Sequence, residues 1–180
     1  MFEGWENFFL MAGGAAAVLI GLIFVVIGLM GDRPRDSVLA GSWLYMGPIV
    51  LGVSFVLALS AAALTPDISR PTFAALATLA AAWGLVRGIM SAWGIRKRTM
   101  IGHENIHWTD LWFYGVFPVL IYLAMAVDAL AFWKSWDWAK DGLAIVITAG
   151  LLLAIRNEWD LITWITPRGE AKAKRANSRD

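Results

Sequence analysis

The chain has 180 residues, of which 59% are hydrophobic and 16% charged, and its mean hydropathy of +0.62 exceeds that of ordinary soluble domains. The absence of cysteine excludes disulfides, thiolate nucleophiles and cysteine-ligated metal centres. A formal net charge of +1 by itself argues neither for nor against nucleic-acid binding. We expect no nucleic-acid partner, because a surface this apolar is stable in a lipid bilayer rather than in water.

Long apolar runs predict an all-α fold, a polytopic bundle of transmembrane helices. The first run, residues 8–30, contains no charged side chain, whereas about 20 apolar residues suffice to cross a bilayer. The segment before it carries Glu3 and Glu6 and no basic residue, which is unlike a cleaved signal peptide, so we expect this run to remain as a membrane anchor. The five predicted spans are 8–30, 42–64, 71–94, 111–133 and 142–162. They form one domain, 1–166, followed by a polar, basic cytoplasmic tail, 167–180.

Basic residues are concentrated in alternate connecting segments, as expected when Lys and Arg are retained in the cytoplasm. With the N-terminus outside, the outer segments hold only Arg70, Lys134 and Lys140. The inner segments hold ten basic residues: Arg33, Arg35, Arg96, Lys97, Arg98, Arg168, Lys172, Lys174, Arg175 and Arg179. An odd number of spans produces this bias, so the sequence predicts five spans with the C-terminus in the cytoplasm.

Small residues mark the expected helix contacts, because helices in lipid associate through close backbone approach. Gly13, Ala17 and Gly21 recur every four residues in the first span, and Gly84 and Gly88 have the same spacing in the third. Such stripes serve contacts within one chain or between copies. We take contacts within one chain as the default.

Two of the six prolines lie in the interior of predicted spans, and most of the eleven tryptophans lie near span ends. Pro48 and Pro118 lie within the second and fourth spans, and each should kink its helix and free a carbonyl one turn earlier. Most tryptophans lie near span ends, as in an interfacial aromatic belt. Trp83 lies in the middle of the third span and should pack inside the bundle or face lipid.

Ionisable residues within spans point to function, because each is costly in the bilayer unless it is paired or hydrated. Arg87 lies in the third span, and Arg156, Glu158 and Asp160 lie near the end of the fifth, all in the predicted cytoplasmic leaflet. They predict an intramembrane polar cluster. It would act either as a lock on the bundle or as a polar vestibule, ion path or headgroup site. Near the outer end of the fourth span lies Asp128, for which Lys134 and Lys140 are candidate partners. An isolated acid at that depth is more often hydrated or capped than a proton carrier.

One motif carries recognisable chemistry. Residues 103–107 read HENIH, which matches H-E-x-x-H, and they include both histidines of the chain. On a helix, His103 and His107 would share a face and bind zinc, with Glu104 as the candidate catalytic base. A third ligand would have to be a carboxylate, from Asp110, Glu158 or Asp160. The alternative is a pair of solvated interfacial histidines, which we take as the default.

Three segments of the sequence carry a resemblance to known proteins. Residues 14–29 read GAAAVLIGLIFVVIGL, and residues 112–122 and 155–165 read WFYGVFPVLIY and IRNEWDLITWI. They resemble segments of small multi-pass inner-membrane proteins of bacteria, a group to which no activity is attached. The resemblance therefore implies the bacterial inner (plasma) membrane as location and no reaction.

Three functional hypotheses follow from these features. The leading one is a non-enzymatic accessory or scaffold subunit, alone as a homo-oligomer or within a larger membrane complex. The second is a small homo-oligomeric channel or transporter, suggested by the small-residue stripes, the prolines and Arg87. The third is a membrane zinc hydrolase that uses the HENIH segment.

Overall fold

The computed structural model describes residues 1–29, 46–100 and 108–177, which fold as helices joined by short turns. No strand occurs in those ranges, so the all-α prediction is confirmed for them. Helix α1 spans Glu6–Leu29, α2 spans Gly47–Leu64 and α3 spans Arg70–Met100. A short α4 (Trp108–Leu111) continues through a π-helical segment (Trp112–Val116) into α5 (Phe117–Trp133), and α6 spans Ala139–Asn177.

Four stretches of the described residues are long and apolar enough to cross a membrane, as expected of a membrane protein: Glu6–Val25, Gly47–Leu64, Arg70–Lys97 and Trp112–Trp133. Helix α6 contains the fifth predicted span, 142–162, but is not among those four. Its polar residues Arg156, Asn157, Glu158 and Asp160 interrupt the apolar run. The same helix continues as far as Asn177, through most of the predicted tail.

Local sequence explains where the helices begin and end. Thr65 ends α2 in an extended conformation (φ −66°, ψ 124°), which is the region favoured before a proline, here Pro66. Ser69 caps α3, since its hydroxyl oxygen accepts the Thr72 N–H at 3.2 Å. Pro48 lies in the first turn of α2, where a missing N–H costs little because it would have no partner within the helix. The residues before Met46 lie outside the described ranges.

A buried aromatic cluster joins three parts of the chain at one end of the bundle. The ring of Phe2 lies 4.7 Å from that of Phe73 and 5.8 Å from that of Phe132, and Phe9 packs on Phe2 at 5.0 Å. The N-terminus and the turns 65–69 and 134–138 therefore lie at the same end, which we call the Phe-cluster end. The opposite end, where residues 112–116 of the π-helical segment lie, is called the Tyr114 end.

The glycines of α3 make close contacts within the chain. Helices α3 and α5 form one of the two most extensive interfaces of the bundle, and α1 and α2 form the other. A Cβ at Gly84 would collide with the ring of Tyr122, and a Cβ at Gly88 would lie 3.0 Å from Cγ2 of Val119. Both glycines thus let α5 approach α3 closely, as small residues do in membrane bundles.

The predicted stripe on α1 divides between two faces. A Cβ at Gly13 would lie 3.2 Å from Cβ of Ser60 on α2, so Gly13 lies at a helix contact. Ala17 is exposed, and a Cβ at Gly21 would meet nothing within 4 Å. The buried face of α1 is formed instead by other residues at helical spacing, namely Phe9, Ala12, Ala16, Leu19 and Ile23.

Large apolar side chains cover the outside of the helices. Trp83, in the middle of α3, is 60% exposed and so faces outward rather than into the bundle. Apolar side chains from four helices share this exposure: Leu10, Val18, Phe24, Leu79, Val86, Leu120, Val127, Ile145 and Leu152. An apolar surface of this extent matches the hydrocarbon of a bilayer.

Candidate functional site

The most polar part of the described interior is built around the π-helical segment before Pro118. Here the Phe117 N–H donates to the Trp112 carbonyl five residues back, so the turn is wider than in an α-helix. Pro118 has no N–H and cannot donate to the carbonyls of Phe113 or Tyr114, which lie five and four residues earlier. These two carbonyls therefore require partners from outside their own helix.

Neighbouring helices supply those partners. Asn157 of α6 donates from Nδ2 to the Phe113 carbonyl at 3.1 Å, and Ser91 of α3 donates from Oγ to the Tyr114 carbonyl at 3.2 Å. Asn157 is 3% exposed and Ser91 5%. The two carbonyls freed before Pro118 are thus hydrogen-bonded to side chains of α3 and α6, and these bonds link both helices to the start of α5.

Tyr114 extends the same network to the charged residues of α6. Its buried hydroxyl lies 3.0 Å from Oδ2 of Asp160 and 3.2 Å from the Asn157 carbonyl, so its single proton is shared between two acceptors. Arg156 lies 3.9 Å from Oδ2 of Asp160 and 3.2 Å from Oδ1 of Asn157, and its guanidinium stacks 3.5 Å above the Phe113 ring. We call Ser91, Phe113, Tyr114, Arg156, Asn157 and Asp160 the Tyr114 network.

The predicted polar cluster comprises Arg87, Arg156, Glu158 and Asp160. Arg156 and Asp160 both belong to the Tyr114 network. Glu158 is 4% exposed, and its Oε1 has no hydrogen-bond partner among the described residues. Arg87 is half-buried on α3, one turn before Ser91, which corresponds to about 6 Å along the helix axis.

The predicted zinc-binding motif cannot be placed, since His103, Glu104 and His107 lie outside the described residues. Of the candidate third ligands, Asp160 already contacts Tyr114 and Arg156. Within the described side chains there is no group of three or more His, Asp or Glu residues that could hold a metal.

Asp128 lies near the other end of the bundle and is paired with neither candidate lysine. It is 1% exposed, and neither carboxylate oxygen has a hydrogen-bond partner in the described part of the chain. Lys134 is exposed, and the carboxylate is held instead against the backbone of α6, where a Cβ at Gly142 would collide with Oδ1. The missing side chain at Gly142 is what admits Asp128 to this interface.

A narrow cavity of about 40 Å³ lies among α2, α5 and α6. Its walls include Pro48, Gly52, Pro118, Tyr122 and Asn157, so both of the prolines predicted to kink spans border it. The volume is far below the roughly 300 Å³ of small-molecule sites and admits only a few waters. The cavity borders the Tyr114 network through Asn157.

Sequence reasoning missed Tyr114 and Ser91, which hold the network together. One sequence feature does bear on Tyr114: it lies four residues before Pro118, where a freed carbonyl is expected. No comparable pattern marks Ser91, since its role depends on the packing of α3 against α5.

Comparisons of the chain with protein-family models, with curated proteins and with solved structures found no match.

Proposed function

We propose that this chain is a non-enzymatic subunit of the bacterial inner membrane, an accessory or scaffold that works as an oligomer or within a larger membrane complex. It crosses the bilayer five times, with the N-terminus and the Phe-cluster end outside and the Tyr114 end and C-terminus in the cytoplasm. Helix α6 is the fifth span. Its polar residues then lie at the cytoplasmic interface, where Arg and Asp reach water and headgroups.

The observation that carries this proposal is the way polar atoms are used in the Tyr114 network. Asn157 and Ser91 donate to backbone carbonyls, and the Tyr114 hydroxyl and Arg156 are directed at Asp160. Groups engaged with one another in this way stabilise the bundle. An enzyme would direct comparable groups at an open pocket large enough for a substrate.

The absence of cysteine makes the topology directly testable. Single cysteines would be introduced at Glu3 and at Ser178 and labelled in intact cells with a membrane-impermeant maleimide, with the parent chain as the unlabelled control. We expect labelling of Glu3→Cys in intact cells and of Ser178→Cys only after permeabilisation. Labelling of both residues in intact cells would show an even number of spans and refute the five-span arrangement.

Purification from native membranes tests the accessory role. The tagged chain would be extracted in mild detergent, cross-linked and analysed by mass, with an unrelated tagged membrane protein as the control. A partner protein recovered at fixed stoichiometry only with this chain supports a subunit role. A homo-oligomer that also conducts ions in liposomes would contradict it.

Buried carboxyl groups favour a second candidate, the small homo-oligomeric channel or transporter. Asp128 and Glu158 lie 1% and 4% exposed, in opposite leaflets of the proposed arrangement, and each has a carboxylate oxygen without a described partner. Ionisable groups of this kind often mark ion or proton paths. Proton flux into dye-loaded liposomes that falls to the empty-liposome level in Asp128→Asn and Glu158→Gln would favour transport over the scaffold role.

The zinc hydrolase remains the third candidate, and metal analysis separates it from the other two. One zinc per chain that is lost in His103→Ala would support it. Substoichiometric zinc that does not respond to this substitution would exclude it.

A further inference from the structure

A cleft at the Phe-cluster end has no role in the accessory function proposed above. It measures about 110 Å³ and is lined by Met1, Arg70, Phe132, Trp136, Asp137, Ala139 and Lys140. Phe132 and Ala139 are buried and form an apolar floor, whereas Trp136 is 50% exposed at the rim. Because a cavity that holds one water measures about 10–15 Å³ on the same scale, the cleft is large enough for a phosphate group.

The two cations at this cleft have no ionic partner among the described residues. Neither Arg70 nor Lys140 forms an ion pair or a hydrogen bond with another described side chain. Arg70 begins α3 and Ala139 begins α6, so the positive ends of two long helices also lie beside the cleft. With Asp137 as the one lining carboxylate, the lining side chains carry one net positive charge.

The position of the two cations is not explained by membrane orientation. Arg70, Lys134 and Lys140 are the only basic residues of the predicted outer segments, and they oppose the orientation that the ten inner ones favour. Two of these three nevertheless line the same cleft. Trp136 and Trp138, whose rings lie 5.7 Å apart, are both exposed beside it, which is typical of headgroup depth.

We infer that this cleft binds the phosphate of an anionic phospholipid headgroup, with Arg70 and Lys140 as its ligands. A phosphodiester carries one negative charge, opposite in sign to the net charge of the lining side chains, and Arg contacts phosphate through two parallel N–H groups. The apolar floor and the Trp136 ring then contact the glycerol and the first methylenes of the lipid. The inference rests on the membrane location of the chain and not on its accessory role.

Lipid retention would be measured by native mass spectrometry of the full-length chain in detergent, after incubation with equal amounts of phosphatidylglycerol and phosphatidylcholine. We expect selective retention of phosphatidylglycerol that falls roughly fivefold for each of Arg70→Gln and Lys140→Gln, since one cation near a membrane surface contributes about a factor of five. Lys134→Gln is the matched control, because Lys134 lies in the turn 134–138 that precedes α6 but does not line the cleft. It should leave retention unchanged.

Asp137→Asn should increase lipid retention, a result that a misfolded variant would not give. Removing the lining carboxylate should raise retention of phosphatidylglycerol above that of the parent chain. Unchanged retention in Arg70→Gln and Lys140→Gln, or an equal loss in Lys134→Gln, would overturn the inference. Millimolar inorganic phosphate is the second arm: if it displaces the lipid and alone raises the unfolding temperature equally, the ligand is free phosphate and the headgroup assignment is wrong.

Discussion

Gly84 and Gly21 provide a matched pair of Gly→Ala substitutions with opposite expected effects. Ala is the better helix former by about 0.5–1 kcal/mol in a helix interior. At Gly21 a Cβ meets nothing within 4 Å, so Gly21→Ala should gain part of that amount. At Gly84 the same Cβ would collide with the Tyr122 ring, which is 5% exposed and has beside it only the narrow cavity of about 40 Å³.

The magnitude at Gly84 follows from this collision. Overpacking of a filled interior typically costs about 1–3 kcal/mol, and here the obstacle is a whole ring rather than the end of a flexible chain. After subtraction of the gain in helix propensity, Gly84→Ala should lower the free energy of unfolding by roughly 1–2 kcal/mol. The two substitutions should therefore differ by about 2 kcal/mol, although they add the same methyl group.

Equilibrium unfolding in mixed micelles, followed by tryptophan fluorescence, measures both variants. Replacing Tyr122 with Leu in the Gly84→Ala background should recover part of the loss, and the double-mutant cycle gives the coupling. A Gly84→Ala variant as stable as the parent would refute the close approach of α3 and α5. A loss in Gly21→Ala would show that this face of α1 contacts another chain rather than lipid.

Three further predictions use the same unfolding measurement. Tyr114→Phe removes a hydroxyl directed at Asp160 and should lower the free energy of unfolding by about 1 kcal/mol. The control is Tyr122→Phe, whose hydroxyl has no partner among the described residues and which should cost under about 0.5 kcal/mol. Equal losses would contradict the Tyr114 network. Ser135 has a left-handed conformation (φ 59°) just after α5, so Ser135→Gly should raise the free energy of unfolding by roughly 0.5–1 kcal/mol. An unchanged free energy of unfolding would argue against this conformation of the turn. Asp128→Asn should leave stability unchanged or higher, and a marked loss would reveal an ionic partner.

The candidate site was only partly predictable from sequence. Arg156 and Asp160 have the i, i+4 spacing that places them on one face, and the structure joins them. Tyr114 and Ser91 enter only because α3, α5 and α6 meet at the π-helical turn. Which side chain reaches a freed carbonyl is decided by the neighbouring helix, and local sequence does not contain that information.

What the sequence determined by itself is the set of helices. Long apolar runs of about 20 residues satisfy their backbone groups in lipid by forming helices, and Pro66 and Ser69 fix where α2 ends and α3 begins. What only the tertiary structure decided is which face of each helix is buried. A transmembrane helix is apolar on its lipid side and on its core side alike, so hydrophobic periodicity does not separate the two. Gly84 and Gly21 look the same in sequence, and only the position of Tyr122 makes one a close contact while the other stays exposed.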